Sequence, residues 1–354
     1  MHVPDGFLDA PTSVATAAVA GAAVAVSLRK ARSELDERTA PLAGLTAAFV
    51  FAVQMLNFPV GVGTSGHLMG GALAAVLVGP WTAVLVLSVV LAVQALLFAD
   101  GGITALGTNI VLIGLVTVAV GWTVTKLVLA LLPRRPASVV PAAFVGALLS
   151  VPVAALVVVG LYAVGGAADL PLQALTATMV GWHVLIGLGE AVITALTVSA
   201  VVAVRPDLVY AARDLRPALE LRGADGGVPD QVSAEPDATP DRRRRTGSLV
   251  TGGLVAVGLA VTLLLAGVAS FFASGSPDGL EYVAEEQGFL DTARDHAFGD
   301  LPLADYGDVG GIPVGLAGLL GVAATVLVGW LVLRRVASRR PDRPAAPSDD
   351  RERV

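Results

Sequence analysis

The sequence predicts an all-α, polytopic membrane helix bundle of about nine spans, arranged as seven plus two, with the N-terminus outside and the C-terminus in the cytoplasm. Three observations predict it. Hydrophobic residues make up 55% of the 354 residues and charged residues only 15%, where soluble domains carry roughly 25% charge; mean hydropathy is +0.76. The apolar runs are continuous rather than alternating, so they read as helices and not as barrel strands. Nearly all basic residues fall on one side of the runs. This composition excludes an ordinary soluble enzyme, a nucleic-acid binder and a disordered chain. The absence of cysteine excludes disulfides and thiolate chemistry, so any metal must bind nitrogen or oxygen.

Positions 1–10 lack a basic n-region and lead straight into the first apolar run, which argues against a cleavable signal peptide. The predicted spans are 11–28, 41–57, 67–80, 81–99, 107–132, 138–165, 180–203, 249–272 and 311–333. Most approach the ~20 residues that cross a bilayer as a helix. The run 67–80 begins at His67, ends at Gly79-Pro80 and reads as a short, re-entrant or tilted helix. If it crosses, all of the 23 Lys and Arg residues except Arg294 lie on the inner side or in the inner half of a span, as the positive-inside rule requires. If it does not, Arg29 to Arg38 and Arg134-Arg135 fall on opposite sides. Residues 1–204 form the seven-span unit. Residues 205–248, rich in Pro, Asp and Arg, read as a cytoplasmic linker. Residues 249–336 form the two-span unit around an acidic outer segment, 273–310, and 337–354 read as a disordered tail.

Polar groups at membrane depth are expensive, so they point to function. Under this topology His2, Asn57, Thr64, Ser65, His67, Asp100, Thr108, Asn109 and His183 collect at the outer side, in short glycine-rich loops. His2 carries a specific chemistry. The α-amine of Met1, the amide nitrogen of His2 and its imidazole can grip one cation. Amine and amide close a five-membered ring, and amide and Nδ1 a six-membered one, near one plane because the peptide is trans. An imidazole from His67 completes a planar set of four nitrogens, suited to Ni(II) or Cu(II) and accepted by Co(II). The bland alternative is a polar histidine near the lipid headgroups. Met1 must be retained and unblocked, and a bulky second residue favours retention.

These residues resemble a known family. Met1-His-Val-Pro-Asp-Gly-Phe-Leu8, Asn57-Phe-Pro-Val-Gly-Val-Gly-Thr-Ser-Gly-His-Leu-Met-Gly-Gly71, Gln94-Ala-Leu-Leu-Phe-Ala-Asp-Gly-Gly102 with Ala105-Leu-Gly-Thr-Asn109, and His183-Val-Leu-Ile-Gly-Leu-Gly-Glu-Ala-Val-Ile-Thr194 are similar to successive signatures of the CbiM/NikM family. Its members are substrate-binding membrane components of energy-coupling factor (ECF) cobalt/nickel transporters. Pro277-Asp-Gly-Leu-Glu281 resembles the PDGLE module, an accessory unit found alone or fused to that family. The resemblance implies capture of Co(II) or Ni(II) by the Met1 amine, the His2 amide and imidazole, and the His67 imidazole. It also implies separate ATPase partners and a membrane coupling subunit. The chain has no phosphate-binding Gly-x-x-x-x-Gly-Lys-Ser/Thr loop of its own, and no resident cofactor is expected.

Asn57, Ser65, Asp100 and Asn109 are candidates to orient the imidazoles, against a plainer role in caps and turns. His183 and Glu190 share one helix face and are candidates for an ion path. For Glu190 the competing expectation is a buried structural hydrogen bond, with Gln54 or Gln94 as partner. Gly70, Gly71, Ala72, Ala74 and Ala75 suit close helix packing around His67. Two readings from other classes stand beside this one: a proton-coupled metal carrier using Glu190, and a rhomboid-like intramembrane serine protease. The protease would use Ser65, in Gly63-Thr-Ser-Gly66, as nucleophile and His183 as base.

Overall fold

The computed structural model describes residues 1–35, 39–61, 63–215 and 240–338. The helices are α1 (Ala10–Lys30), α2 (Ala40–Gln54), α3 (Gly71–Val78), α4 (Pro80–Leu97), α5 (Leu106–Asn109), α6 (Thr117–Leu131), α7 (Val139–Gly165), α8 (Leu172–Val204), α9 (Pro240–Gly267), α10 (Gly279–Glu286) and α11 (Val314–Ser338), with one hairpin, β1 (Phe58–Gly61) and β2 (Thr64–Gly66). A π-helical turn, Ile110–Val116, joins α5 to α6. Among the described residues six helices are long and apolar enough to cross a membrane, and two more apolar helices are shorter.

The two ends of the bundle differ chemically. At one end the carboxylate of buried Glu34 accepts from Trp81 N (3.2 Å) and Thr82 N (2.7 Å) at the start of α4. The Glu34 carbonyl accepts from Arg213 beyond α8. Lys30 lies over the Trp81 ring. This is the basic end. At the other end residues 1–9, the hairpin, the turn 98–105 and the segment 273–312 meet.

The segment 67–80 joins the two ends, but not as the single helix that the sequence suggests. Only Gly71–Val78 is helical, eight residues, about 12 Å long. The half nearer the hairpin continues from β2 as non-helical chain. Helix cannot start earlier: Gly70 sits at φ +82°, a left-handed conformation that glycine adopts freely. The main-chain amides just ahead of this half-helix lie outside regular structure and need acceptors at membrane depth. Glu190 from α8 supplies them, accepting from Met69 N (2.7 Å) and Gly70 N (3.2 Å). Gln54 binds the Met69 carbonyl instead (2.9 Å) and Gln94 the Tyr306 hydroxyl (3.4 Å), so neither pairs with Glu190. Every residue of α3 is buried. A Cβ on Gly71 would stand 1.8 Å from Thr117 Oγ1, and one on Gly121 2.5 Å from Ala72 Cβ. Small residues admit this close packing.

The second unit leans α9 and α11 against α2 and folds 273–312 over the site end. Its helix α9 begins at Pro240, inside the stretch read as linker to 248. The remainder of that linker, and the tail from 339 onward, lie outside the described residues.

Candidate metal site

The N-terminal segment is pinned before its chemistry begins. Asn109 grips Val3 twice, accepting from its amide (2.8 Å) and donating to its carbonyl (3.1 Å). Gly102 N also donates to the Val3 carbonyl (3.0 Å). The Asp5 carboxylate accepts from Ile103 N (3.1 Å) and Thr104 N (2.7 Å). Gly6 turns at φ +93°, and a Cβ there would lie 2.3 Å from the Thr292 carbonyl. Phe7 is buried against Phe289 of the second unit, ring centroids 5.1 Å apart.

These restraints press the first two residues into the bundle. Met1 is 3% exposed. Its amine contacts His67 Nε2 and donates to Asp278 Oδ2 at 2.7 Å. The His67 Nδ1–H is spent on the Leu68 carbonyl (3.0 Å), so Nε2 carries the lone pair that faces the amine. The His2 ring stacks on the His67 ring, 4.8 Å between centroids and 9° from parallel. His2 Nδ1–H donates to Asp100 Oδ1 (2.8 Å), and its Nε2 is buried without a hydrogen-bond partner. A cavity of about 490 Å³ opens beside this group, lined by His2, Asn57, His67, Asp100, Asp278 and Tyr306 among others.

The second unit holds the group from the far side. Asp278 caps α10, its Oδ1 accepting from Leu280 N (2.8 Å) and Glu281 N (3.0 Å), while Oδ2 faces the Met1 amine and His67. Burial alone would raise the Asp278 carboxyl; the Met1 ammonium and His67 outweigh it and hold it well below the usual carboxylate range. The Tyr306 hydroxyl donates to Asp100 Oδ2. Burial likewise opposes ionisation of Asp100, but His2 and Tyr306 bring it below the usual range. Asp305 and Tyr306 both sit in the left-handed region, at φ +49° and +52°, a costly conformation for non-glycine residues. Their backbone is tied to the first unit where Asp305 N meets the Phe98 carbonyl (2.9 Å).

The structure brings Met1, His2, His67 and Asp100 together. Asn109 and Ser65 act on backbone rather than on an imidazole. Ser65 Oγ donates to the Ser276 carbonyl (2.8 Å) and Ser65 N to that of Pro277 (2.9 Å), fixing the segment that carries Asp278. Asn57 lines the cavity, and its carbonyl accepts from Ser274 N (2.8 Å). The serine–histidine pair of the protease reading does not form: Ser65 is committed to Ser276, and His183 Nε2 has no hydrogen-bond partner. Glu190 sits apart, at the start of α3.

Asp278 and Tyr306 were not anticipated as site residues. Asp278-Gly279 at the head of a short amphipathic stretch carries an N-cap signal, but nothing local tells which amine it meets. Among the described residues no three His, Cys, Asp or Glu side chains form a metal-holding cluster by themselves. The distinguishing donor here is the main-chain amine.

A family model described as the cobalt uptake substrate-specific transmembrane region matches residues 2–208, and the PDGLE domain matches 252–338. A relative from Haloquadratum walsbyi with a provisional name as a metal transport protein is 40% identical over 59% of this chain and 94% of its own length. The fused nickel transport protein NikMN of Rhodobacter capsulatus is 47% identical over 31% of each chain. A crystal structure of a truncated transition metal transporter superposes with TM-score 0.50 at 30% identity, covering 57% of this chain and 99% of that one.

Proposed function

Because the chain belongs to the CbiM family, joined to a PDGLE module, we propose that it is the substrate-capture component of an ATP-driven ECF importer for Co(II) or Ni(II). The observation that carries this is the burial of the Met1 amine against the lone pair of His67 Nε2, with the His2 ring stacked alongside. A buried amine is costly without partners, and these partners are a borderline-metal donor set.

The ion binds the amine, the His2 amide and imidazole, and His67 Nε2. In the structure the Nδ1 needed for the six-membered chelate ring faces Asp100. A half-turn of the ring about Cβ–Cγ presents Nδ1 to the ion and brings Nε2–H near the same carboxylate, so Asp100 keeps an imidazole partner. Carboxylates behind metal-bound histidines orient the ring and raise its basicity. Asn109 and Asp5 fix the height of the N-terminal segment. Asp278 holds the amine in register until the ion replaces its proton.

The site end faces outward, with the basic end in the cytoplasm. The acidic outer segment concentrates cations there. Partner ATPases and a coupling subunit supply the work of moving the site inward. The proton-coupled carrier reading loses its main residue: Glu190 is occupied by the Met69 and Gly70 amides.

Metal analysis of the purified full-length protein tests the proposal. The wild-type chain should carry about one Co or Ni per chain, and His67→Ala should carry none while inserting normally. Equal metal in both would refute it.

A further inference from the structure

The Glu190 carboxylate touches no metal ligand, but a single peptide unit separates it from one. Its Oε2 accepts from Met69 N (2.7 Å) and its Oε1 from Gly70 N (3.2 Å). The Met69 N–H belongs to the same peptide as the Leu68 carbonyl, and that carbonyl accepts from His67 Nδ1 (3.0 Å). A trans peptide points its C=O and its N–H in opposite directions. The contacts therefore run in series from carboxylate to peptide to imidazole, whose Nε2 meets the Met1 amine. The next peptide is held likewise, Gly70 N by Glu190 and the Met69 carbonyl by Gln54 Nε2 (2.9 Å), but it ends on an uncharged amide. Glu190, Leu68 and Met69 are each at most 1% exposed, so water does not weaken the link.

We propose that Glu190 is a positioning residue for His67: through the Leu68–Met69 peptide its charge strengthens the His67 Nδ1–H bond, fixes the ring and makes Nε2 a stronger ligand for the divalent ion. This deepens the metal-capture reading and rests on it. Two amides do not by themselves call for a charge. One neutral carbonyl oxygen has two lone pairs, whereas a carboxylate at membrane depth is expensive. Both Glu190 oxygens accept, as those of an ionised carboxylate do. A group that accepts the second ring N–H of a metal-bound histidine orients the ring and raises its basicity. His2 has the Asp100 carboxylate for this (2.8 Å). His67 has a carbonyl, and Glu190 lends that carbonyl part of a carboxylate's strength, because hydrogen bonds in series polarise one another by roughly 10–30% per bond.

Nuclear magnetic resonance of the metal-free, full-length chain with 15N-labelled histidine and methionine tests this. In the wild type the Met69 amide proton should lie well downfield of the helical Met179 amide proton, as expected of an amide bound to a charged acceptor; no separation overturns the proposal before any variant is made. In Glu190→Gln the His67 Nδ1–H proton should move upfield. The His183 Nδ1–H, bound to the Met179 carbonyl (2.7 Å) on the same helix as Glu190, should stay. Competition titration of Ni(II) or Co(II) against that variant should give a Kd about three- to tenfold weaker, at or below the 10–100-fold cost of losing a direct partner of a metal ligand. A His67 signal that does not move, or that moves together with His183, overturns the proposal, as does a shifted signal with unchanged Kd. Gln54→Leu loosens the same turn without touching the Leu68–Met69 peptide and should leave the His67 signal in place; a shift as large as that of Glu190→Gln would assign the effect to rigidity and overturn the role of charge. Failure of the capture reading shows differently, as bound metal that survives His67→Ala.

Discussion

Tyr306→Phe isolates what the second unit does for the metal site. The substitution removes a single hydroxyl. The ring itself stays, stacked on Phe98 with centroids 5.1 Å apart and 25° between planes, so the packing of 304–307 is preserved. The losses are the strong hydrogen bond to the Asp100 carboxylate and the long one that the hydroxyl accepts from Gln94 (3.4 Å). Hydrogen bonds to charged groups are worth roughly 1.5–3 kcal/mol. The Asp100 side chain is 23% exposed and borders the cavity, so water partly replaces the hydroxyl and the lower figure applies. About 1.4 kcal/mol is tenfold in a dissociation constant, which matches the low end of the 10–100-fold cost typical of carboxylates behind metal ligands. Competition titration of Ni(II) or Co(II) against a chelator should therefore give a Kd up to about tenfold weaker, and the metal-free protein should lose no more than about 1.5 kcal/mol of stability. A Kd within twofold of wild type would refute the Tyr306–Asp100–His2 linkage. A large stability loss with unchanged affinity would show that Tyr306 serves packing alone.

Three further outcomes follow from the same geometry. Glu190→Ala orphans two buried donors at about 1–3 kcal/mol each, so thermal unfolding should shift far more than for Glu190→Gln, which keeps one acceptor oxygen; equal shifts would contradict the capping role. Gly71→Ala drives a Cβ to 1.8 Å from Thr117 Oγ1 and should cost about 1–3 kcal/mol by overpacking, whereas Gly21→Ala, with open space around it, should be neutral or stabilising; a stable Gly71→Ala protein would disprove the buried half-helix. Metal binding must release protons, because the amine binds only when deprotonated. Affinity should therefore fall as pH is lowered, and calorimetry in buffers of different ionisation enthalpy should register the release; an affinity that is flat with pH would contradict the ligand set.

The fold was largely legible because continuous apolar runs and one-sided basic residues leave few alternatives. Where reading failed, tertiary context decided. The stretch 67–80 is apolar enough for a helix, yet the glycines at 70 and 71 and a carboxylate 120 residues away, paired with Gly70, set where the helix starts. Sequence reasoning offers side chains, Gln54 or Gln94, as partners for Glu190; the main-chain amides of Met69 and Gly70, exposed where the helix is broken, are invisible to it. Among site residues, the chelating geometry of Met1 and His2 is readable from covalent structure alone. The contributions of Asp278 and Tyr306 are not, since 277 and 206 positions separate them from Met1 and Asp100 and only the folding of one unit over the other brings them near.

The free amine is the claim on which the account depends. Full-length protein carrying two extra residues ahead of Met1 should be prepared beside protein whose first residue is verified as unblocked Met1, and bound nickel or cobalt measured in both. The unextended protein should hold about one ion per chain. The extended one should insert, fold to the same melting temperature and hold none. Equal occupancy in the two would show that the α-amine is not a ligand.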